Sequence, residues 1–492
     1  MLGWQDQRFW FITGTQFLYG EETLRQVEAH ARTMVDGLNA GGRLPATLEM
    51  RGLVRTNAEF TGLVREANAD PACAGIVVWC HTFSPSKMWI NGFAALTKPY
   101  CHLHTQFNRT IPNEEIDMDY MNLNQAAHAD REHGFIAARM RLPRRVIVGF
   151  WEDEPVQAKL GGWMRSAFGA AVSRQLKVMR FGDNMREVAV TEGDKVEAQI
   201  QFGWQVNTTP VGALVDEMEA VGEAEIEACL AEYRSLYDFA TDNLEAVRYQ
   251  ALLEVAMRRI FEREGISAYT NTFEDLYGLR QLPGLASQNL MRQGYGYGGE
   301  GDWKVAAMTH IIKRMGEGRP GGTAFMEDYT YDLTPGRELS LGAHMLEVCP
   351  TLAAGRPRIE VHPLGIGGRE DPARLVFEGP AGPALLCSVI DMGGRFRMIV
   401  HEIELVRPPL SMPNLPVARV MWRPEPDLYT GTECWILAGG AHHSVLTTQV
   451  SGRELEDFAE IMGIEFVKIS RESCPERLKQ ELLLADLVWK LR

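Results

Sequence analysis

Four short stretches set a carboxylate or an imidazole among glycines or apolar residues. They are Gly298-Gly299-Glu300-Gly301-Asp302, Phe325-Met326-Glu327-Asp328-Tyr329, Leu341-Gly342-Ala343-His344-Met345-Leu346 and Gly439-Gly440-Ala441-His442-His443. A carboxylate in an Ala-Phe-Met-Glu run is costly to bury unless it is paired or bound to a cation. Taken singly, Glu327 could pair with an arginine, and His344 could be a hydrogen-bonded core histidine. Taken together, Glu300, Glu327, His344 and one of the His442–His443 pair make an oxygen–nitrogen donor set for a borderline divalent ion such as Mn²⁺. Gly294-Tyr295-Gly296-Tyr297-Gly298-Gly299 fits the letters of a dinucleotide fingerprint, which requires a strand directly before it. Here Ala286-Ser287-Gln288-Asn289-Leu290-Met291 precedes and reads as helix, so a nicotinamide cofactor is rejected. The glycines read instead as a flexible loop that delivers Glu300.

The elements that must position these groups follow from apolar patterning. Phe9–Ile12, Gly75–Trp79 and Arg145–Phe150 are short apolar runs separated by helical patterns, the signature of a parallel sheet covered on both faces. Ligands collect beyond the carboxyl ends of such strands, which puts Gln16, His81 and the stretch 102–106 at a site edge. A second α/β region opens with Leu176–Phe181 and continues in two helical stretches, 211–237 and 243–264. Toward the end, runs 384–391 and 396–406 flank Gly393-Gly394 and read as a hairpin, the second arm weakly two-sided. Helices are expected at 454–461 and 475–489. The expected fold is α/β: two doubly wound parallel-sheet domains (1–174 and 175–325), then a mainly antiparallel β, barrel-like C-terminal domain (326–492).

Composition bounds the function. With 492 residues, 45% hydrophobic and 23% charged, the chain is that of a soluble globular protein of about three domains. A net charge of -15 disfavours nucleic-acid phosphates. No apolar run approaches the ~20 residues that span a bilayer, so no membrane role is expected. The first residues lack a secretory pattern, which makes a cytoplasmic location the expectation. The 8 cysteines are scattered, with no Cys-x-x-Cys, and read as buried reduced thiols.

Longer blocks carry a resemblance. Phe83-Ser84-Pro85-Ser86-Lys87-Met88-Trp89-Ile90-Asn91-Gly92, His104-Thr105-Gln106-Phe107-Asn108, Arg180-Phe181-Gly182-Asp183-Asn184-Met185-Arg186, Gly299-Glu300-Gly301-Asp302-Trp303, His344-Met345-Leu346-Glu347-Val348-Cys349-Pro350 and Trp435-Ile436-Leu437-Ala438-Gly439-Gly440-Ala441-His442-His443 resemble the L-arabinose isomerase family, in one register from about Phe9 onward. The resemblance implies interconversion of L-arabinose and L-ribulose, with D-galactose and D-tagatose as a second pair. It implies one Mn²⁺ per subunit, with Co²⁺ or Mg²⁺ as alternatives, held by Glu300, Glu327, His344 and His443. It also implies sugar contacts from Gln16, Met185, Phe273 and Ile366, with Gln125 and His128 supplied by a neighbouring subunit of a homohexamer. The stretches 351–358 and 216–243 depart from the family pattern and lie away from these positions.

Isomerisation moves a hydrogen between C1 and C2 and a proton between O1 and O2. A cation gripping adjacent oxygens would polarise the carbonyl, and the resemblance implies that two carboxylates, Glu300 and Glu327, shuttle the protons through an enediol. A metal-assisted hydride shift is the competing route. His442 is expected to orient its neighbour or hydrogen-bond nearby rather than ligate. Isomerisation of another sugar such as L-fucose, or sugar binding without chemistry, are the rival readings.

Overall fold

The computed structural model describes residues 2–491. The chain divides into two compact units, one spanning Leu2–Ala171 and the other beginning at Val172.

The N-terminal unit holds five parallel strands: β1 (Arg8–Gly14), β2 (Thr47–Val54), β3 (Cys73–Cys80), β4 (Tyr100–His104) and β5 (Arg145–Val148). Their order, β2-β1-β3-β4-β5, reverses direction between β1 and β3, the crevice position of a doubly wound sheet. Every residue of β3 is buried, as its unbroken apolar run requires. Helix starts are fixed locally. Before Asn57–Ala69, Thr56 accepts from the Glu59 N–H at 3.2 Å while Glu59 accepts from the Thr56 N–H at 3.1 Å.

The second unit opens with β6 (Lys177–Phe181) and β7 (Gln205–Thr209). The two-residue β8 (Asp238–Phe239) follows, then β9 (Ala268–Thr270) and β10 (Gly296–Gly298). β10, β9, β6 and β7 form a parallel sheet in that order. The single helical stretch expected over 211–237 is instead two helices, Val211–Glu219 and Glu223–Leu236. The break falls at Gly222, whose N–H donates to Glu225 at 3.1 Å and opens the second helix. The expected flexible glycine loop is also corrected: Gly296–Gly298 is a buried strand packed under the helix Trp303–Gly316. A Cβ on Gly296 would stand 2.2 Å from the Ala306 carbonyl, so the glycine serves close packing rather than mobility.

The last part contains β11 (Thr323–Asp332), β12 (Leu339–Ala343), β13 (Arg358–Val361), β14 (Ala373–Val376), β15 (Gly382–Asp391), β16 (Phe396–Val406), β17 (Val420–Pro424), β18 (His443–Thr447) and β19 (Glu465–Ile469). A mixed, mostly antiparallel sheet runs β15-β18-β11-β12-β17-β16-β19, and the added β15–β16 pairing closes it into a barrel. The hairpin across Gly393-Gly394 is this closing pair. Its second arm is not two-sided: Phe396–His401 is buried on both faces. Helices Leu428–Leu437 and Gly452–Met462 pack against it, and Arg397 is buried because Glu465 and the Ala438 carbonyl pair its guanidinium. β14, β13 and β8 form a separate small sheet. All eight cysteines are free and all but Cys474 are buried. Among the described residues no helix is long and apolar enough to cross a membrane.

Burial holds three histidines uncharged in the fold. The His81 and His310 imidazoles are pushed down to about 3 and that of His401 to about 4, in each case chiefly by loss of solvent. The unfolded chain takes up these protons from about pH 6.5 downward while the fold does not, so stability falls with acid through that window. His310, which donates to the Gly294 carbonyl at 2.9 Å, isolates one such proton. In His310→Gln the slope of unfolding free energy against pH between 5 and 6 should drop by about 1.4 kcal/mol per pH unit. Urea titrations across that range measure it, and an unchanged slope contradicts the assignment.

Candidate active site

Three adjacent barrel strands and one turn build the site. Glu327, in β11, stands in register with His443, the first residue of β18, on one side and with Ala343, the last of β12, on the other. His344 follows directly after β12. Residues directly opposed on neighbouring strands have Cβ atoms about 5 Å apart, so register alone brings Glu327 and His443 together. Glu300 arrives from the parallel sheet, two residues beyond the carboxyl end of β10. Its backbone takes the left-handed conformation (φ 61°), which costs a non-glycine residue of order 1 kcal/mol and is held by its surroundings. The Glu300 carbonyl accepts from the Met185 N–H at 2.9 Å, and the Gly301 N–H donates to the Asn271 carbonyl at 2.9 Å. The turn is thereby tied to the segments following β6 and β9. Gly299 leaves room for His344: a Cβ there would lie 3.0 Å from the imidazole Cε1.

The structure brings Glu300, Glu327, His344 and His443 to one place. Nε2 of His443 lies 3.6 Å from Glu300 Oε2, and Nε2 of His344 lies 3.9 Å from Glu327 Oε2. Potential ligand atoms of Glu300, His344 and His443 all fall within 4.8 Å of one another, as do those of Glu327, His442 and His443. His442 Nε2 is also 3.6 Å from Glu300 Oε2, so both imidazoles of the pair flank one carboxylate. Phe325 packs edge-on against His344 and His443, with ring centroids 4.8 and 5.1 Å away, and forms the apolar floor.

Two carboxylates that sequence reasoning passed over decide how the imidazoles face. Nδ1 of His443 lies 3.2 Å from Asp302 Oδ2, and Nδ1 of His344 lies 2.5 Å from Glu347 Oε2. An ionised carboxylate only accepts, so each Nδ1 carries the proton, and each ring when neutral has its lone pair on Nε2, the nitrogen that faces Glu300 or Glu327. Asp302 does double duty: its Oδ1 caps the helix Trp303–Gly316 by accepting from the Lys304 and Val305 N–H groups. Glu347 accepts from the Tyr297 hydroxyl at 3.1 Å and from the Leu346 N–H at 3.1 Å. The available signal was positional, a carboxylate three residues after His344 and another at a helix start beside Glu300.

Electrostatics fit a cation. Burial raises the Glu300 carboxyl, but the imidazoles of His442, His443 and His344 around it outweigh that and hold it below the usual range. Burial lowers the His344 imidazole, yet Glu347, Glu327 and Glu300 lift it above its ordinary value. The His442 imidazole is raised by the Glu300 carboxylate beside it. His443 Nε2 is fully buried and has no hydrogen-bond partner. Two carboxylates and two Nε2 lone pairs around that orphaned atom suit a borderline divalent ion. Asp328, the next residue, turns instead into a cavity of about 190 Å³ that His401 and His442 also line.

The other expected site residues divide between the units. Met185 is tied to Glu300 through the backbone, as above. The Phe273 ring lies 6.3 Å from that of His344 and borders a cavity of about 720 Å³ beside Arg186 and Gly367, the neighbours of Met185 and Ile366. Ile366 is 40% exposed. Gln16, Gln125 and His128 belong to the N-terminal unit. Gln16 follows β1, and the Gln125 N–H donates to the His81 carbonyl just past β3, so both flank the reversal point of that sheet.

A closed barrel carrying a carboxylate–imidazole cluster where a parallel sheet delivers its loop defines an enzyme built around a candidate divalent-cation site. Family models agree in detail: the L-arabinose isomerase N-terminal, central and C-terminal domains match residues 3–175, 177–318 and 322–465. The chain is 55% identical to the L-arabinose isomerase of Anoxybacillus flavithermus, covering 99% of each protein. It is 54% identical to those of Thermotoga sp. strain RQ2 and Geobacillus stearothermophilus over 100% of this chain and 99% and 100% of theirs. The chain belongs to the L-arabinose isomerase family, a family of aldose–ketose isomerases.

If Asp302 and Glu347 fix the tautomers, then Asp302→Asn, which keeps the cap oxygen, and Glu347→Gln should each weaken Mn²⁺ binding about 10–100-fold. Calorimetric titration with Mn²⁺ measures this; wild-type affinity in both variants rules the tautomer argument out.

Proposed function

We propose that this protein interconverts L-arabinose and L-ribulose, with D-galactose and D-tagatose as a second substrate pair, by proton transfer between two carboxylates and an enediol. The observation that carries the reading is the convergence of Glu300 and Glu327 on one buried cluster with His344 and His443. Those four side chains would hold the cation, Mn²⁺ by family resemblance, with Co²⁺ or Mg²⁺ as substitutes. When bound, the ion supplies Lewis-acid polarisation of the sugar carbonyl.

The chain's own residues perform the transfer. In the aldose-to-ketose direction one carboxylate takes the proton from C2, and its electron pair moves into a C1–C2 double bond as O1 gains a proton. O2 then loses its proton to become the ketose carbonyl, and C1 receives one from the other carboxylate. Glu300, held ionised by its histidine neighbours, is suited to the base role at neutral pH. Phe325 keeps one side of the cluster dry. Met185, Phe273 and Ile366 would pack on the sugar's apolar face. Gln16, Gln125 and His128 would hydrogen-bond its hydroxyls, with Gln125 and His128 coming from the neighbouring subunit of a homohexamer. A cytoplasmic location is part of the same reading.

Glu300→Gln and Glu327→Gln should each lower kcat on L-arabinose by about 10²–10⁴-fold without changing the melting temperature by more than a few degrees. In deuterated water the L-ribulose formed should carry deuterium at C1; its absence favours the hydride shift. Chelation should abolish turnover and Mn²⁺ restore it. Turnover surviving in both Gln variants excludes the two-carboxylate scheme.

A further inference from the structure

The N-terminal unit contains a polar seam that the scheme above does not use. Tyr100, His102 and His104 alternate along β4 and therefore share one face. They face the helix Ala126–Arg139, which presents Asp130 and His133 one turn apart. His104 Nδ1 donates to Asp130 Oδ2 at 2.6 Å, and His102 Nε2 lies 2.8 Å from Asp130 Oδ1. His133 is hydrogen-bonded to the Tyr100 hydroxyl and packs edge-on against His102 at 4.8 Å. Asp130 is 5% exposed. Burying an ionised carboxylate is affordable here because His104 hydrogen-bonds one oxygen and the His102 ring lies within ion-pair reach of the other.

This carboxylate sits in the second turn of a helix that begins at the sheet's reversal point. Gln125 precedes the helix, and its side-chain amide donates to the Tyr19 hydroxyl at 3.2 Å. His128, two residues before Asp130, lies with its ring 4.7 Å from that of Phe83. Neither Gln125 nor His128 reaches the strand core. The helix start is fixed by the Gln125–His81 backbone bond, and its inner face by the two histidines of β4.

We infer that the His102–Asp130–His104 clamp is a positioning device for sugar recognition: it sets the axial register of the helix Ala126–Arg139 against β4 and so fixes where Gln125 and His128 present their polar atoms. The inference rests on the reading of those two residues as sugar contacts. The clamp's residues are outside the set proposed to hold the cation or move the protons, so loosening it raises KM rather than abolishing chemistry. A misplacement of about 1 Å is enough for a large kinetic effect.

The test uses the intact protein with L-arabinose and Mn²⁺. Asp130→Ala should raise KM about tenfold or more, with Mn²⁺ affinity at the wild-type value and kcat at saturating sugar far less affected. Asp130→Asn should recover most of the loss, because the amide oxygen accepts from His104 Nδ1 and the amide nitrogen donates to His102 Nε2 once that neutral ring carries its proton on Nδ1. His104→Ala, at a partly exposed position, removes half the clamp and covers the case in which Asp130→Ala does not fold. Gln125→Ala and His128→Ala report separately on the underlying reading. A raised KM there, with wild-type KM in both Asp130→Ala and His104→Ala, overturns the clamp alone. Wild-type KM in Gln125→Ala and His128→Ala overturns the sugar-contact reading itself. A lowered melting temperature with unmoved KM reduces Asp130 to a structural residue and also overturns the inference.

Discussion

The site depends on an imbalance between hydrogen-bond acceptors and donors. Asp302 and Glu347 occupy the Nδ1 protons of His443 and His344, so both rings turn unshared pairs inward. Those pairs meet the carboxylates of Glu300 and Glu327, which also only accept. Four acceptors converging in a partly buried space repel one another unless positive charge sits among them. The His344 and His442 imidazoles are raised by the carboxylates that face them, so this place favours positive charge. A divalent ion would supply more of it, and each ligand would then need its proton removed, so cation and proton would compete for the same space.

Rigid elements impose this arrangement. Cross-strand register sets Glu327 opposite His443, and a one-residue slip of β18 would turn His443 to the other face. Barrel closure through β15 and β16 leaves β18 and β11 as interior members of a closed ring, where slippage is least available. Glu300 comes from outside that ring, in an unfavourable backbone conformation maintained by the Met185 and Asn271 contacts. The strained residue is the one on which the sheet and the barrel must agree, which is where stored strain is expected.

The donor types and the strand punctuation were legible in the sequence because they are local. An apolar run ending in Glu327, glycines bracketing Glu300 and an Ala-His-His stretch announce costly polar groups in apolar settings. The hairpin at Gly393-Gly394 and the helix beginning after Asn243 were equally readable, since turn and cap chemistry is carried by a few residues. What could not be read was set by contacts distant in sequence. The break at Gly222 is hidden inside good helix formers. The buried second face of β16 depends on helices that arrive later in the chain. Asp302 reads as a helix cap, and only the fold reveals its other oxygen facing His443, 141 positions onward. The glycines before Glu300 were misread as mobile for the same reason: the helix they accommodate lies after them.

The two histidine-rich clusters differ in one respect that decides what each can bind. Around Asp130 a single carboxylate pairs with two imidazoles, one at each oxygen. Around Glu300 and Glu327 the imidazole protons are already committed to Asp302 and Glu347, and two further carboxylates remain unmatched. Similar residues therefore yield a clamp in one unit and a candidate cation site in the other. The difference lies in how many carboxylates each imidazole must serve, not in the number of histidines. A carboxylate added to the first cluster, or the orienting pair removed from the second, would shift each toward the other's behaviour.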